Sequence, residues 1–127
     1  MAFNGTYELE SQENFEPFMK SFGIPDDVIE KVKDIKRVTK IEQNGDHFVI
    51  SVTTGDSVLR NEFTIGQESE MNSVTGQKNK TTVNLVDGKL VVDMNGIDSV
   101  TEISGDLLIN VMTLNDIVYK SVSQRVA

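Results

Sequence analysis

Turn signals recur along most of this chain at a nearly constant interval, and that regularity limits the fold more than any other feature. They are Asn44-Gly45, Thr54-Gly55, Gly66, Thr75-Gly76, Asp87-Gly88, Asn95-Gly96, Ser104-Gly105 and Asn115-Asp116. Successive glycines lie 10, 11, 10, 12, 8 and 9 residues apart, and Asn115 follows 10 later. Asn-Gly and Asp-Gly supply the positive-φ positions of tight hairpin turns. Between them lie short runs rich in Val, Ile, Thr and Phe, such as His47-Phe48-Val49-Ile50-Ser51-Val52 and Leu107-Leu108-Ile109-Asn110-Val111-Met112. Short strands joined by hairpins make an antiparallel meander. Nine strands fit after residue 37, and a tenth fits at Gly5–Gln12, where Tyr7 and Leu9 alternate with Glu8 and Glu10.

Residues 13–36 break the pattern. Ser11 and Asn14 are N-cap candidates before Phe15, Phe18, Met19 and Phe22, which recur at helical spacing. Gly23 ends that helix. Pro25-Asp26-Asp27 opens a second, with acids at its positive end and an apolar face of Val28, Ile29, Val32 and Ile35. The pair is too short for a domain, so a lid at about 14–36 over one barrel mouth is expected. The fold class is therefore all-β: a ten-stranded antiparallel up-and-down barrel with a helix-turn-helix lid. Closure removes unpaired sheet edges. Ten strands enclose more room than the eight that already hold one small ligand.

The length of 127 residues suits one domain, 1–127. The absence of Cys excludes a disulfide framework, a thiolate metal site and a Cys nucleophile. One histidine, His47, excludes multi-histidine metal sites, so no metal or cofactor is expected. A formal charge of −8 argues against nucleic acid as a partner. The N-terminus lacks a basic region followed by an apolar run, and no apolar stretch approaches the roughly 18 residues of a membrane span. A cytoplasmic monomer is the default.

Strand alternation assigns the inward faces. They are Phe48, Ile50 and Val52; Leu59, Asn61 and Phe63; Asn72 and Val74; Thr81, Val83 and Leu85; Leu90, Val92 and Met94; Ser99, Thr101 and Ile103; Leu108, Asn110 and Met112; and Tyr119, Ser121 and Ser123. The polar members would be costly in a dry core. They suit a hydrated cavity. The hydrophobic fraction of only 38% then reflects a wet interior rather than disorder. A mostly apolar pocket with a few placed polar groups fits an amphipathic small molecule such as a lipid with one polar head.

At this point the residues carry a resemblance. Gly5-Thr6-Tyr7-Glu8-Leu9, then Asn14-Phe15-Glu16 and Phe18-Met19, resemble the N-terminal signature of the intracellular lipid-binding proteins, the fatty acid-binding protein family. The likeness runs along the whole chain. Ser11-Gln12-Glu13-Asn14-Phe15-Glu16, Lys33-Asp34-Ile35-Lys36, Asn61-Glu62-Phe63-Thr64 and Met112-Thr113-Leu114 are most similar to its liver-type branch, and less closely to the liver and ileal bile acid-binding branches. The resemblance implies a β-clam of the lipocalin or calycin kind. It implies non-covalent binding of fatty acids, bile acids or bulkier amphipathic ligands, and no catalysis. It also exposes a departure. Those branches carry an inward arginine on the last strand as carboxylate partner, and this chain has Ser121 there. Ser123 is kept, and Thr39 stands for the branch's serine on the second strand. Three outcomes stay open: Ser121, Ser123, Thr39, Asn110 and water hold the carboxylate; Arg37 or Arg125 replaces the arginine from a barrel end; or the head stays in solvent at the mouth.

Lys31, Lys33, Lys36, Arg37 and Lys40 gather on and after the second helix. Such a patch can meet an anionic membrane surface transiently, or attract an anionic ligand; it equally suits a solvated helix end. Ligand access is expected past Val28, Ile29 and Val32, beside Lys31 and Lys33, and near the turns at Gly55 and Gly76. A catalytic reading would rest on His47 alone, placed beside a turn where a surface role is the commoner one.

Overall fold

A computed structural model describes residues 3–72, 78–94 and 96–127. The chain runs β1 (Gly5–Glu13), α1 (Phe15–Lys20), α2 (Asp26–Val32), β2 (Arg37–Asn44), β3 (His47–Thr54), β4 (Ser57–Thr64), β5 (Glu68–Asn72), β6 (Lys78–Thr82), β7 (Asn84–Val86), β8 (Lys89–Met94), β9 (Ile97–Ser104), β10 (Leu107–Leu114) and β11 (Ile117–Arg125). The expected ten strands are present, one of them interrupted at Val83 to give β6 and β7. Turn chemistry explains the hairpins: Asp87 and Gly88 have φ of 52° and 80°, the two consecutive positive values that a tight β7–β8 turn demands.

Nine strands form one antiparallel sheet in the order β4-β3-β2-β1-β11-β10-β9-β8-β7, while β5 and β6 make a separate ladder. The first and last strands pair at the middle of this order. β5 lies beside β4, and β6 beside β8. The small ladder therefore fills the gap and completes an all-β barrel under a helical lid. Side chains stitch the seams in place of a main-chain ladder. Asn61 Nδ2 donates to the Asn72 carbonyl at 3.1 Å, and the Asn72 N–H donates to Asn61 Oδ1 at 2.6 Å. Asn72 Nδ2 reaches the Arg60 carbonyl at 2.9 Å. Across the second seam the Thr81 hydroxyl donates to the Asp93 carbonyl at 2.6 Å.

Two inward phases differ from strict alternation. On β5 the buried residue is Met71, at 5% exposure, and Asn72 points into the seam. The break at Val83 buries that residue but turns Leu85 outward, to 46% exposure. A third shift is in β1. Pairing to β11 steps from Leu9↔Ser123 to Ser11↔Val122, so Glu10 is an extra residue in a bulge. Beyond it Gln12 shares the inner face, opposite Ser121.

The lid helices are short. Asn14 occupies the cap position of α1 but has φ 62° and does not cap with its side chain; its Nδ2 donates to the Val118 carbonyl at 2.8 Å instead. Ser11 lies within β1. Asp26 and Asp27 fill the first turn of α2, where negative charge meets the positive end of the peptide dipoles.

Candidate ligand-binding site

Two apolar clusters lie at opposite ends of the barrel interior. One gathers Phe3, Tyr7, Ile41, Phe48, Phe63, Met71, Val83, Leu90 and Leu108. The other gathers Phe15, Phe18, Ile29 and Tyr119, with Phe22, Val32, Ile97 and Met112 packed against them, directly beneath the helices. Between floor and lid lies a cavity of about 250 Å³.

Most of the expected inward residues meet at this cavity. β2 to β4 supply Thr39, Ile50, Val52, Leu59, Asn61 and Phe63. The small ladder and the β6–β7 break supply Asn72 and Val83. β8 to β11 supply Leu90, Val92, Thr101, Asn110, Met112, Ser121 and Ser123. Five of the described residues expected to face inward are not on this wall: Phe48, Thr81, Leu85, Ile103 and Tyr119. Phe48 is in the floor, stacked on Phe63 with centroids 5.3 Å apart and edge-on to Phe3 at 5.7 Å. Tyr119 belongs to the lid cluster, stacked on Phe18 at 5.3 Å. Val74, and the turn at Gly76, lie outside the described residues.

Ile41, Met71 and Ile97 also line the cavity and were not assigned from sequence. Ile41 and Ile97 share the parity of Thr39 and Ser99, so strand alternation could have found them. Met71 could not be found that way, because its neighbour Asn72 lines the cavity too and both parities of this short strand reach it. The lid residues Phe18 and Phe22 close the top of the cavity.

Hydrogen bonding divides the polar lining. Asn61 and Asn72 are committed to the seam. Asn110 Nδ2 donates to Thr101 Oγ1 at 2.8 Å and to Ser99 Oγ at 3.2 Å, which joins β9 and β10 across the wall. Thr39, Ser121 and Ser123 remain as hydroxyls on the lining, the last two buried at 7% and 6% exposure.

The candidate cations separate by place. Arg125 is at the floor end: Nη2 donates to the Tyr7 hydroxyl at 2.7 Å, Nη1 lies 3.9 Å from Asp106, and the residue is absent from the cavity wall. Arg37 is on the wall at the lid end. Its Nη1 donates to the Tyr119 hydroxyl at 2.8 Å and its Nη2 to Gln12 Oε1 at 2.7 Å.

Around the expected access route, Val28 is 41% exposed but Ile29 is buried at 2%, packed into the lid cluster. Ile29 therefore holds the lid down and does not face a passage. Val32 is half-buried against the same cluster. At Gly55 (φ +59°) an added Cβ would stand 3.4 Å from Ile35, so the segment after α2 rests on the β3–β4 turn. The basic patch is largely neutralised. Lys33 lies 3.0 Å from Glu30 and 3.5 Å from Glu16, and the Glu30 hydrogen bond raises its pKa above the ordinary value. Lys36 meets Glu8, and Lys40 meets Glu42, both at 3.4 Å. Lys31 is exposed, with no ion pair among the described residues. His47 is on the outer face, its Nε2 2.6 Å from Glu62 Oε2 and its Nδ1 2.9 Å from Thr64 Oγ1.

The model of the lipocalin / cytosolic fatty-acid binding protein family matches residues 1–127. The chain belongs to this family. It is 54% identical over 127 residues to the liver fatty acid-binding protein of Sus scrofa, covering 99% of this chain and all of that one. It is 55% identical over 126 residues to fatty acid-binding protein 1, liver, of Ambystoma mexicanum, covering 98% of this chain and all of that one. Among solved structures, zebrafish ileal bile acid-binding protein complexed with cholic acid superposes with a TM-score of 0.89 at 43% identity, covering 99% of this chain and all of that one. The resemblance read from segments along the chain is thus to the right family and branch. No helix among the described residues is long and apolar enough to cross a membrane.

Proposed function

We propose that this chain is a cytosolic carrier that binds long-chain fatty acids and related amphipathic acids non-covalently inside its barrel, with residues 1–127 acting as one unit and 14–36 as the lid. The observation that carries this is the cavity itself: a mainly apolar interior space with a few hydroxyl and amide groups, in a chain of this family. Ile50, Leu59, Phe63, Val83 and Met112 would hold the apolar part of the ligand. Access would pass between α2 and the turn at Gly55, where Ile35 of the lid segment rests. Bile acids are the second reading, favoured by the 43% identity to a protein solved with cholic acid. The chain is not an enzyme: its family and relatives are named for binding, and its one imidazole is on the outer face. We further propose that it works as a monomer. Its contact with an anionic membrane surface would be brief, because Lys33, Lys36 and Lys40 are already paired with acids and the remaining attraction is screened by salt.

Displacement of a fluorescent fatty acid from delipidated protein tests the reading. Oleate and cholate should both compete, oleate the more strongly. Failure of every long-chain fatty acid and bile salt to compete at micromolar concentration overturns it.

A further inference from the structure

The cavity lining contains a single ionised side chain among the described residues, Arg37. It is the first residue of β2, of the same parity as Thr39 and Ile41, and it sits at the lid end. Its guanidinium has two hydrogen-bond acceptors, the Tyr119 hydroxyl and Gln12 Oε1, and both belong to neutral groups. No carboxylate pairs with it among the described residues. Of the nearby acids, Glu8 is paired with Lys36, and Glu16 is paired with Lys33. A guanidinium carries five N–H donors, and the bonds to Tyr119 and Gln12 use only two of them.

The surroundings fix this group in place. Tyr119 donates its own proton to Gln12 Oε1 at 2.7 Å, which closes a three-membered network across β1, β2 and β11. The guanidinium carbon lies 5.9 Å from the ring centroids of both Phe15 and Tyr119, within cation–π range. Gln12 is available only because the bulge at Glu10 turns it inward. Arg37 and Gln12 also line a surface cleft of about 410 Å³ between β1 and residues 33–37, so the guanidinium stands where the interior meets the outside. A rigid, partly desolvated cation without a counter-charge gains most from an anion that brings two oxygens, because its planar fork matches a carboxylate.

We propose that Arg37 is the anchor for the ligand's carboxylate in this chain, held in position by Tyr119 and Gln12. Ser121, where the resemblance predicts an arginine, then faces the body of the ligand. The orientation follows. The acid head lies beneath the lid, and the tail runs down toward Ile41, Phe63 and Leu108. The alternatives offer less: Ser121, Ser123 and Thr39 present only neutral hydroxyls, and Arg125 is engaged with Tyr7 at the other end, off the wall. This inference rests on the carrier reading and adds to it a specific residue and a direction.

The test compares oleate with methyl oleate, which has the same chain but no charge, on delipidated protein. Wild-type protein should prefer the acid. Arg37→Gln should lose roughly tenfold or more in oleate affinity, as for a hydrogen bond to a charged group, while methyl oleate binding stays as it was. Arg37→Lys, which keeps the charge but not the fork, should fall between. An equal loss for acid and ester would make Arg37 merely structural and overturn the proposal, as would no loss for either. A second measurement needs no variant: nuclear Overhauser contacts from the C2 protons of bound oleate should reach the Phe18 and Phe22 rings, which line the lid end of the cavity. Contacts from the terminal methyl to those rings, with C2 near Leu108, would reverse the orientation and overturn the proposal. If wild-type protein takes up neither lipid, the carrier reading falls and the anchor with it; if it takes up both equally, only the anchor falls.

Discussion

Phe48 stacks on Phe63 in the floor, and Phe18 stacks on Tyr119 under the lid, each with ring centroids 5.3 Å apart. The contacts are alike, but the elements carrying them are not. Phe48 and Phe63 are directly paired on β3 and β4, in a ladder of eight residue pairs. Phe18 is on α1, a helix of six residues, beside the seven-residue α2. Helices that short are unstable alone in water, so the lid keeps its shape only through the side chains it buries. The floor would hold its backbone with any one contact weakened. The lid would not. A carrier needs this asymmetry: one end that maintains the cavity, and one end that opens at low cost.

The strongest way to break the comparison is to make the same deletion at both ends. Phe48→Ala should destabilise the whole protein by about 3–5 kcal/mol, the usual cost of emptying a phenylalanine site in a core. Denaturant unfolding would show this as a lower midpoint with an unchanged slope. Phe18→Ala should cost less globally. Its effect should concentrate in hydrogen exchange of residues 15–32 and in faster ligand release. Global loss from Phe18→Ala as large as that from Phe48→Ala would show that lid and floor unfold together.

The wall between the two ends offers an intermediate effect. Asn61→Ala removes both hydrogen bonds from its side chain to the main chain of Asn72. Leaving those half-buried groups without partners should cost about 1–3 kcal/mol. Amide exchange of Asn72 should accelerate, while the β9–β10 link through Asn110 is untouched. Unchanged exchange at Asn72 would mean that the seam is held by packing alone.

Legibility in the sequence follows the same physical divisions. The barrel was readable because hairpin turns need particular residues, and Asp87-Gly88 and its counterparts announce themselves. Alternation then placed Leu59, Asn110, Ser121 and others on the wall, since a regular strand has only two faces, and the family resemblance added Thr39. It failed where a strand is irregular. The bulge at Glu10 turned Gln12 inward, the break at Val83 sent Leu85 outward, and Met71 joins Asn72 at the cavity on a short strand beside a seam. Nothing in residue type announces a bulge or a seam. Tyr119 illustrates another limit: parity put it inside, correctly, but only the packing of the helices shows that it meets Phe18 and Arg37 and does not reach the cavity. Arg37 was visible as a candidate cation, but its neutral partners come from residues 25 and 82 positions away.

The smallest effect is expected outside the barrel. The His47 Nε2–H donates to the Glu62 carboxylate on the exposed face, and this hydrogen bond, aided by Arg60, holds the Glu62 carboxyl below its ordinary value. A lowered carboxyl pKa means that the folded state binds fewer protons than the unfolded one through that range. Its stabilising effect is present above the unfolded carboxyl's pKa, and it fades as pH falls through the folded one. His47→Ala removes the larger cause and leaves Arg60. The variant should therefore be slightly less stable at neutral pH, and the two proteins should converge in acid, because the wild type has more to lose there. Both groups are exposed, so the difference will be small and salt-sensitive. Oleate affinity should be unchanged, since the ring is on the opposite side of β3 from Ile50 and Val52. A loss of oleate binding in His47→Ala would show that the outer face communicates with the cavity and would undo the division between wall and interior on which the comparison of the two ends depends.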